Sequence, residues 1–152
     1  MSKSDELYME EALRLADRAN ATEEVPVGAV VVFDGDIVGR GWNQVIATND
    51  PSAHAEVIAI REAAARLGNY RLKGCELFVT LEPCAMCAGL MVHARLTRLV
   101  IGANDPKSGA AGSVLEVINN PQLNHAMAIK RGVLAAKCMD TLQAFFRERR
   151  GR

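Results

Sequence analysis

The chain has 152 residues, of which 49% are hydrophobic and 24% are charged, with 18 acidic and 18 basic side chains. A domain of this size buries roughly two thirds of its unfolded surface, so the composition favours one globular domain over residues 1–152 and excludes a disordered chain. Zero net charge argues against a protein that covers nucleic acid by broad, nonspecific binding.

Charge is unevenly distributed along the chain. Residues 1–24 contain seven acids and three bases, whereas residues 121–152 contain seven bases and two acids. A basic end on a neutral domain suits local contact with phosphates. The N-terminus lacks the apolar segment of a secretory signal, and the apolar run 25–33 is too short for a membrane span, so we expect a cytoplasmic protein.

The first elements are a helix and a hairpin. Residues 4–20 predict an amphipathic helix, with acids near its start. Residues 27–33 and 37–42 are β-rich, and Asp34-Gly35 between them is a turn signal, so they predict an antiparallel pair of strands.

Two helix starts are predicted in the middle of the chain. Asp50 suits an N-cap with Pro51 at the first helical position, and Gly68 suits the end of that helix. Residues 77–81 predict a buried strand that leads directly into a helix over 83–94, with its proline at the first position.

The remaining elements complete an α/β pattern. Residues 96–103 predict a fourth strand, 114–119 a short helix and 126–130 a fifth strand, and Gly132 precedes a final amphipathic helix. Because strands alternate with helices, we expect a three-layer α/β/α domain, and the initial hairpin makes its sheet of about five strands mixed.

The main chemical signal is His54-Ala55-Glu56 followed by Pro83-Cys84-Ala85-Met86-Cys87. One histidine and two cysteines give zinc three protein ligands, and catalytic zinc sites keep the fourth position open for water. Glu56 is then free to move protons. Both segments are predicted at helix N-termini, which favour the thiolate that a metal ligand requires.

Other readings of the cysteines explain less. A redox C-x-x-C pair leaves His54 and Glu56 without a role. A structural zinc site needs a fourth ligand, and His93 faces the opposite side of its predicted helix. His125 remains open as that ligand, although it follows a polar turn far along the chain. Cys75 and Cys138 lie in apolar patterns and are expected to be buried thiols.

The pairing H-x-E…P-C-x-x-C is a signature of zinc-dependent nucleobase deaminases. Zinc lowers the pKa of its water towards ~7, and Glu56 then serves first as base and later as acid, protonating the ring nitrogen and the departing amine. We therefore expect Glu56→Ala to keep the metal and lose turnover.

Segments beyond the metal motif resemble the bacterial tRNA-specific adenosine deaminases, in matching order along nearly the whole chain. These segments are 24–30, 41–43, 50–56, 69–72, 80–89, 109–113 and 145–147. The resemblance implies a cytidine deaminase-like fold and a homodimer. It also implies conversion of adenosine to inosine at the wobble position of a tRNA anticodon, typically the arginine acceptor.

The resemblance also implies roles for individual residues. His54, Cys84 and Cys87 would hold one zinc ion per subunit, and Glu56 would shuttle protons. The expected substrate contacts comprise Asn43 at the flipped nucleotide, Val27 and Ala55 in the base pocket, Asp105 near the sugar, and Phe145, Phe146 and Arg147 at neighbouring anticodon nucleotides. Aromatic rings beside arginines suit unpaired RNA bases.

Two alternatives remain open from the sequence. A deaminase of a free base or nucleoside, such as guanine or cytosine, would share the zinc and the glutamate but would have no use for a basic, aromatic C-terminal helix. A zinc-stabilised RNA-binding module without catalysis would bind RNA and release no ammonia.

Overall fold

The computed structural model describes residues 2–150, with side chains from residue 4 onward, and these residues fold around one sheet. The elements in chain order are α1 Ser2–Ala21, β1 Gly28–Phe33, β2 Asp36–Trp42, α2 Val45–Thr48, α3 Ala55–Leu67, β3 Cys75–Leu81, α4 Ala85–Ala94, β4 Arg98–Ala103, β5 Ala128–Arg131 and α5 Ala135–Arg150. None of these helices is both long and apolar enough to cross a membrane.

The sheet is mixed, with strand order β2-β1-β3-β4-β5. β1 runs antiparallel to both β2 and β3, whereas β3, β4 and β5 run parallel to one another. The predicted α/β/α fold with a mixed five-stranded sheet is confirmed. β2 and β3 therefore point the same way, and their C-terminal ends lie at one edge of the sheet.

Two apolar layers cover the sheet. Leu77 packs in the cluster that contains Ile60 of α3 and Met91 of α4, and its neighbour Phe78 packs in the cluster that contains Leu15 of α1. Successive side chains on a strand point to opposite faces, which accounts for this division. α3 and α4 thus begin on the same face, next to the edge where β2 and β3 end.

Two glycines allow helices to lie against the sheet at very close range. A Cβ atom on Gly28 of β1 would stand 1.9 Å from the carbonyl oxygen of Ala12 in α1. A Cβ atom on Gly41 of β2 would stand 2.2 Å from the carbonyl oxygen of Ala55, the first residue of α3. Both contacts need a residue without a side chain.

The predicted start of α3 is wrong. Asp50 does not cap the helix, because its Oδ1 accepts hydrogen bonds from the amide and hydroxyl of Ser52 at 2.9 and 2.7 Å. This local turn keeps Pro51 outside the helix, which begins at Ala55 with His54 as its N-cap. The histidine therefore stands at the helix entrance.

The start of α4 is also displaced from the prediction. Pro83 precedes the helix, which begins at Ala85 with Cys84 as its N-cap. The carbonyl oxygen of Pro83 accepts a hydrogen bond from the Ala110 amide at 2.8 Å, which ties this turn to a later loop. The predicted end of α3 is confirmed, since Gly68 is its left-handed C-cap with φ 66°.

The predicted helix over 114–119 is wrong, and the four-residue helix α2 was not predicted. Residues 114–119 contain no helix, because Glu116 pairs with Ala111 in an isolated antiparallel bridge and only residues 118–119 form a turn. The predicted strands are confirmed, with ends within two residues of those expected.

Candidate active site

His54, Cys84 and Cys87 come together at the sheet edge where β2 and β3 end. His54 and Cys84 are the N-caps of α3 and α4, and Cys87 lies in the first turn of α4. Their ligand atoms all lie within 4.8 Å of one another. The two halves of the sequence motif therefore form one cluster in space.

The distances within the cluster fit a tetrahedral zinc ion. His54 Nδ1 lies 3.7 Å from Cys84 Sγ and 3.5 Å from Cys87 Sγ. Zn–S bonds of about 2.3 Å and Zn–N bonds of about 2.05 Å at tetrahedral angles separate N from S by roughly 3.6 Å. The donor set is also the soft one that zinc prefers.

No fourth His, Cys or carboxylate joins this cluster among the side chains of residues 4–150. His93 is exposed on α4, and His125 Nε2 lies 2.6 Å from the carbonyl oxygen of Leu96. A closed four-ligand structural site therefore lacks a partner in the described part of the chain. Three protein ligands with one open position are typical of catalytic zinc.

The cluster already holds thiolate character. Hydrogen bonds from Cys87 and His54 lower the pKa of Cys84 to about 3. The same contact with Cys84, together with burial, raises the pKa of Cys87. The hydrogen bond with Cys84 also raises the pKa of His54. An anionic sulfur is the form that binds a metal ion.

Glu56 is a buried acid in the wall of the adjoining cavity. Only 4% of the residue is exposed, and burial raises the pKa of its carboxyl to about 7, with a smaller contribution from the nearby Cys84 thiolate. It is not one of the three clustered ligands. A carboxyl group with a pKa near the working pH can both accept and donate a proton.

The cavity beside the cluster measures about 590 Å³, which is within the range of small-ligand pockets. His54, Glu56 and Cys84 line it together with five of the predicted substrate-contact residues, namely Val27, Asn43, Asp105, Phe145 and Phe146. Two predicted contacts lie elsewhere. Ala55 is fully buried behind the wall, and Arg147 lines a separate groove.

The Asn43 side chain is held by the backbone on both sides. Its Nδ2 donates to the carbonyl oxygen of Val25 at 3.0 Å, and its Oδ1 accepts from the amide of Ala55 at 2.9 Å. A primary amide has two N–H donors and two acceptor lone pairs, so one of each remains available at the cavity. The two bonds fix the orientation of that remaining pair.

The end of α5 closes the other side of the cavity. The Arg149 guanidinium donates to the carbonyl oxygen of Glu23 at 2.5 Å and lies 5.0 Å from the centre of the Phe145 ring. Phe145 contacts Phe146 edge to face, with ring centres 5.4 Å apart. Phe145 is buried by these contacts, whereas 45% of Phe146 is exposed.

A second, basic groove of about 670 Å³ adjoins the C-terminal helix. Its lining consists of Lys107, Gln143, Phe146, Arg147, Arg149 and Arg150. Phe146 and Arg149 belong to both the groove and the cavity. The positive charge predicted at the C-terminal end thus collects beside the cavity mouth.

Several cavity residues were not predicted from the sequence. They are Glu23, Glu24, Val25, Val45, Ile46, Leu81, Glu82, Ser108 and Arg149. The Glu24 carboxylate accepts hydrogen bonds from the amides of Ile46 and Ala47 at 3.2 and 2.8 Å. For the two glutamates, the sequence signal that could have indicated them is an acidic residue close to the end of an apolar strand. Glu24 precedes β1, and Glu82 stands between β3 and Pro83.

Comparison with known proteins gives consistent matches. Residues 2–103 match the family model described as the cytidine and deoxycytidylate deaminase zinc-binding region. The chain is 50% identical over 150 residues to the tRNA-specific adenosine deaminase of Haemophilus influenzae, covering 98% of this chain and 87% of that protein. It is 45% identical over 146 residues to the enzyme of the same name from Bacillus subtilis, covering 96% and 91%.

A solved structure gives the same match in three dimensions. It comes from a study of A-to-I editing by tRNA:A34 deaminases at the wobble position of transfer RNA. That chain superposes with a TM-score of 0.86 at 43% identity, covering 89% of this chain and 98% of the other.

Proposed function

Since this chain belongs to the tRNA-specific adenosine deaminases of the cytidine and deoxycytidylate deaminase family, we propose that it hydrolyses adenosine to inosine at the wobble position of a tRNA anticodon. Adenosine and water give inosine and ammonia. The observation that carries this proposal is the three-ligand cluster beside buried Glu56, in a cavity large enough for one nucleotide. The arginine tRNA is the expected acceptor.

His54, Cys84 and Cys87 would hold one zinc ion per subunit. Bound zinc supplies Lewis acidity, which lowers the pKa of water towards about 7. Glu56 takes a proton from the attacking water and passes it to the ring nitrogen as the C–O bond forms at C6. Glu56 then takes the second proton from the new hydroxyl at C6 and delivers it to the exocyclic amine, so that the C6 carbonyl forms as the C6–N bond breaks and ammonia leaves.

The cavity wall positions the flipped nucleotide. Val27 and Phe145 present apolar surface to the ring, and the remaining donor and acceptor of Asn43 recognise its edge. Ala55 acts indirectly, because its amide fixes Asn43 from behind the wall. Asp105 lies at the rim, where the sugar would enter. An anticodon loop presents unpaired bases, so moving one into the cavity costs less than from a duplex.

The basic groove would hold the neighbouring anticodon nucleotides. Exposed Phe146 offers a ring on which a base can stack, and Arg147 offers charge for a phosphate. Neutralising one phosphate of a single strand contributes a slope of about −0.7 to log K against log salt. We expect Arg147→Ala to make that slope about 0.7 less steep, and the exposed Arg66→Ala on α3 to leave it unchanged.

We also propose a homodimer that acts in the cytoplasm, where tRNA is found. α4 and the loop after Gly112 carry exposed apolar residues, with exposed fractions of 42% for Met86 and 52% for both Val114 and Leu115. Leu115→Glu in this loop should halve the mass measured by light scattering. Leu7→Glu on α1 should not, and a wild-type monomer at tens of micromolar would contradict this proposal.

The direct test is to incubate zinc-loaded protein with an anticodon hairpin and measure inosine at the first anticodon position together with released ammonia. RNA binding without ammonia would favour a non-catalytic module. Deamination of free guanine or cytosine with no action on the hairpin would favour the free-base alternative. Glu56→Ala is the control for contaminating activity.

A further inference from the structure

Glu82 is a fully buried carboxylate that the proposed chemistry does not use. Its side chain is 0% exposed, and it lies 3.8 Å from the Arg131 guanidinium. It accepts hydrogen bonds from the backbone amides of Asp105, Ala111 and Ser113 at 3.0, 3.0 and 3.1 Å. The hydroxyl of Ser113 is a fourth donor.

The four donors belong to one irregular segment, residues 104–113, which we call the rim loop. Glu82 itself stands two residues before Cys84 in the turn that carries the ligand. The Ala110 amide adds a backbone bond to the carbonyl oxygen of Pro83 at 2.8 Å. The rim loop is therefore attached directly to the segment that bears the metal ligands.

The attachment reaches the cavity wall through Asp105. While its amide donates to Glu82, its carboxylate accepts from the amide and hydroxyl of Ser108 at 3.2 and 2.9 Å. Asp105 and Ser108 both line the cavity. The loop also closes tightly around the carboxylate, since a Cβ atom on Gly109 would stand 2.4 Å from Glu82 Cδ.

We propose that Glu82 is a positioning residue that holds the wall formed by Asp105 and Ser108 in register with the metal ligands. The inference rests on the proposed function, because that wall would contact the bound nucleotide. Only a carboxylate can accept all four donors, since each of its oxygens has two acceptor sites and a glutamine amide has one oxygen. Loops without regular structure otherwise move readily, so this connection maintains the distance between wall and ligands.

The test compares Glu82→Gln with Glu76→Gln as a matched control. Glu76 lies on the same strand, β3, and accepts a 2.9 Å hydrogen bond from Arg98, away from the cavity. In Glu82→Gln the amide nitrogen must face N–H donors, so part of the rim loop loses its acceptor. A misplacement of ~1 Å can cost up to ~10²-fold in reaction efficiency.

The expected kinetic result is a larger change in KM than in kcat. For an anticodon hairpin, we expect Glu82→Gln to raise KM by at least about tenfold and to change kcat by less, at unchanged zinc content per folded chain. kcat is expected to change less because neither Glu56 nor any of the three clustered ligands lies in the rim loop. A purely stabilising role would lower the melting temperature without changing KM.

Hydrogen exchange supplies a readout that does not depend on activity. The rim-loop amides bonded to Glu82 should exchange at least about tenfold faster in Glu82→Gln and at the wild-type rate in Glu76→Gln. Trypsin should also cleave faster after exposed Lys107. If Glu82→Gln does not fold, Ser113→Ala removes only the hydroxyl donor and should shift KM and exchange in the same direction by a smaller factor.

The proposal is overturned if KM and rim-loop exchange in Glu82→Gln, or in Ser113→Ala where the first variant does not fold, stay within twofold of the Glu76→Gln values. Failure of the proposed function gives a different result. In that case the wild-type protein forms no inosine, and the exchange measurement still decides whether Glu82 holds the rim loop.

Discussion

Replacing Glu56 by glutamine removes the proton carrier while keeping the shape of the cavity. Positioned proton transfer contributes ~10²–10⁴ in rate, so kcat should fall by that factor, equivalent to a barrier higher by about 3–5 kcal/mol. Zinc content should stay at the wild-type level, because Glu56 is not one of the three clustered ligands.

The same substitution should stabilise the metal-free protein. Burial raises the pKa of Glu56 to about 7, from the 4.5 that is usual for a solvent-exposed glutamate. A carboxyl with a raised folded pKa opposes folding once it must ionise, so its cost grows between pH 4.5 and 7 and is complete above 7. At pH 8 with chelator, we expect Glu56→Gln to increase the free energy of unfolding by on the order of 3 kcal/mol.

The assay is single-turnover conversion of an anticodon hairpin, with inosine measured after nuclease digestion and zinc measured on the same sample. Glu62→Gln is the control, since Glu62 is exposed on the same helix and accepts a hydrogen bond from the Arg40 amide. Wild-type turnover to within tenfold in fully zinc-loaded Glu56→Gln would refute the assignment of proton transfer to this residue.

Three further predictions concern the ligands, the wall and the pH dependence. Cys84→Ser should lower zinc affinity by more than ~10²-fold in a competition titration, while Cys75→Ala, a buried thiol outside the cluster, should keep wild-type affinity. Asn43→Ala should lower the urea-derived free energy of unfolding by about 1–3 kcal/mol, because the Ala55 amide loses its acceptor, and exposed Gln122→Ala should not. Hydrogen bonds from Arg14 lower the pKa of Glu11 to about 2, so its contribution to stability is complete above about 4.5 and is lost as pH falls towards 2. In this acid range the free energy of unfolding should therefore depend less steeply on pH in Glu11→Gln than in Glu10→Gln. Equal slopes in the two variants would contradict this prediction.

The metal cluster could be predicted because its chemistry appears in short local patterns. Two cysteines three apart at a helix start and a histidine two residues before a glutamate define ligand types and number without knowledge of the fold. The alternation of apolar strands and amphipathic helices likewise predicts the layers. The hairpin and the α/β pattern predict a mixed sheet, but they do not give the order of its strands.

The features that were missed or wrong depend on contacts between distant residues or on competing local bonds. Glu82 takes its partners from 23 to 31 residues away, so no local pattern indicates its role. The start of α3 was misplaced because Asp50 bonds Ser52 instead of capping the helix. Helix propensity over 114–119 was overridden by the bridge between Ala111 and Glu116.

Gly41 limits how the edge strand can vary during evolution. A methyl group there would stand 2.2 Å from the carbonyl oxygen of Ala55, so the first turn of α3 would have to retreat by nearly an ångström. Ala55 follows His54 directly, and the retreat would carry the imidazole away from both sulfurs. Substitution of Gly41, which contacts neither the metal ion nor the substrate, is thus restricted because it would displace a metal ligand on the neighbouring helix.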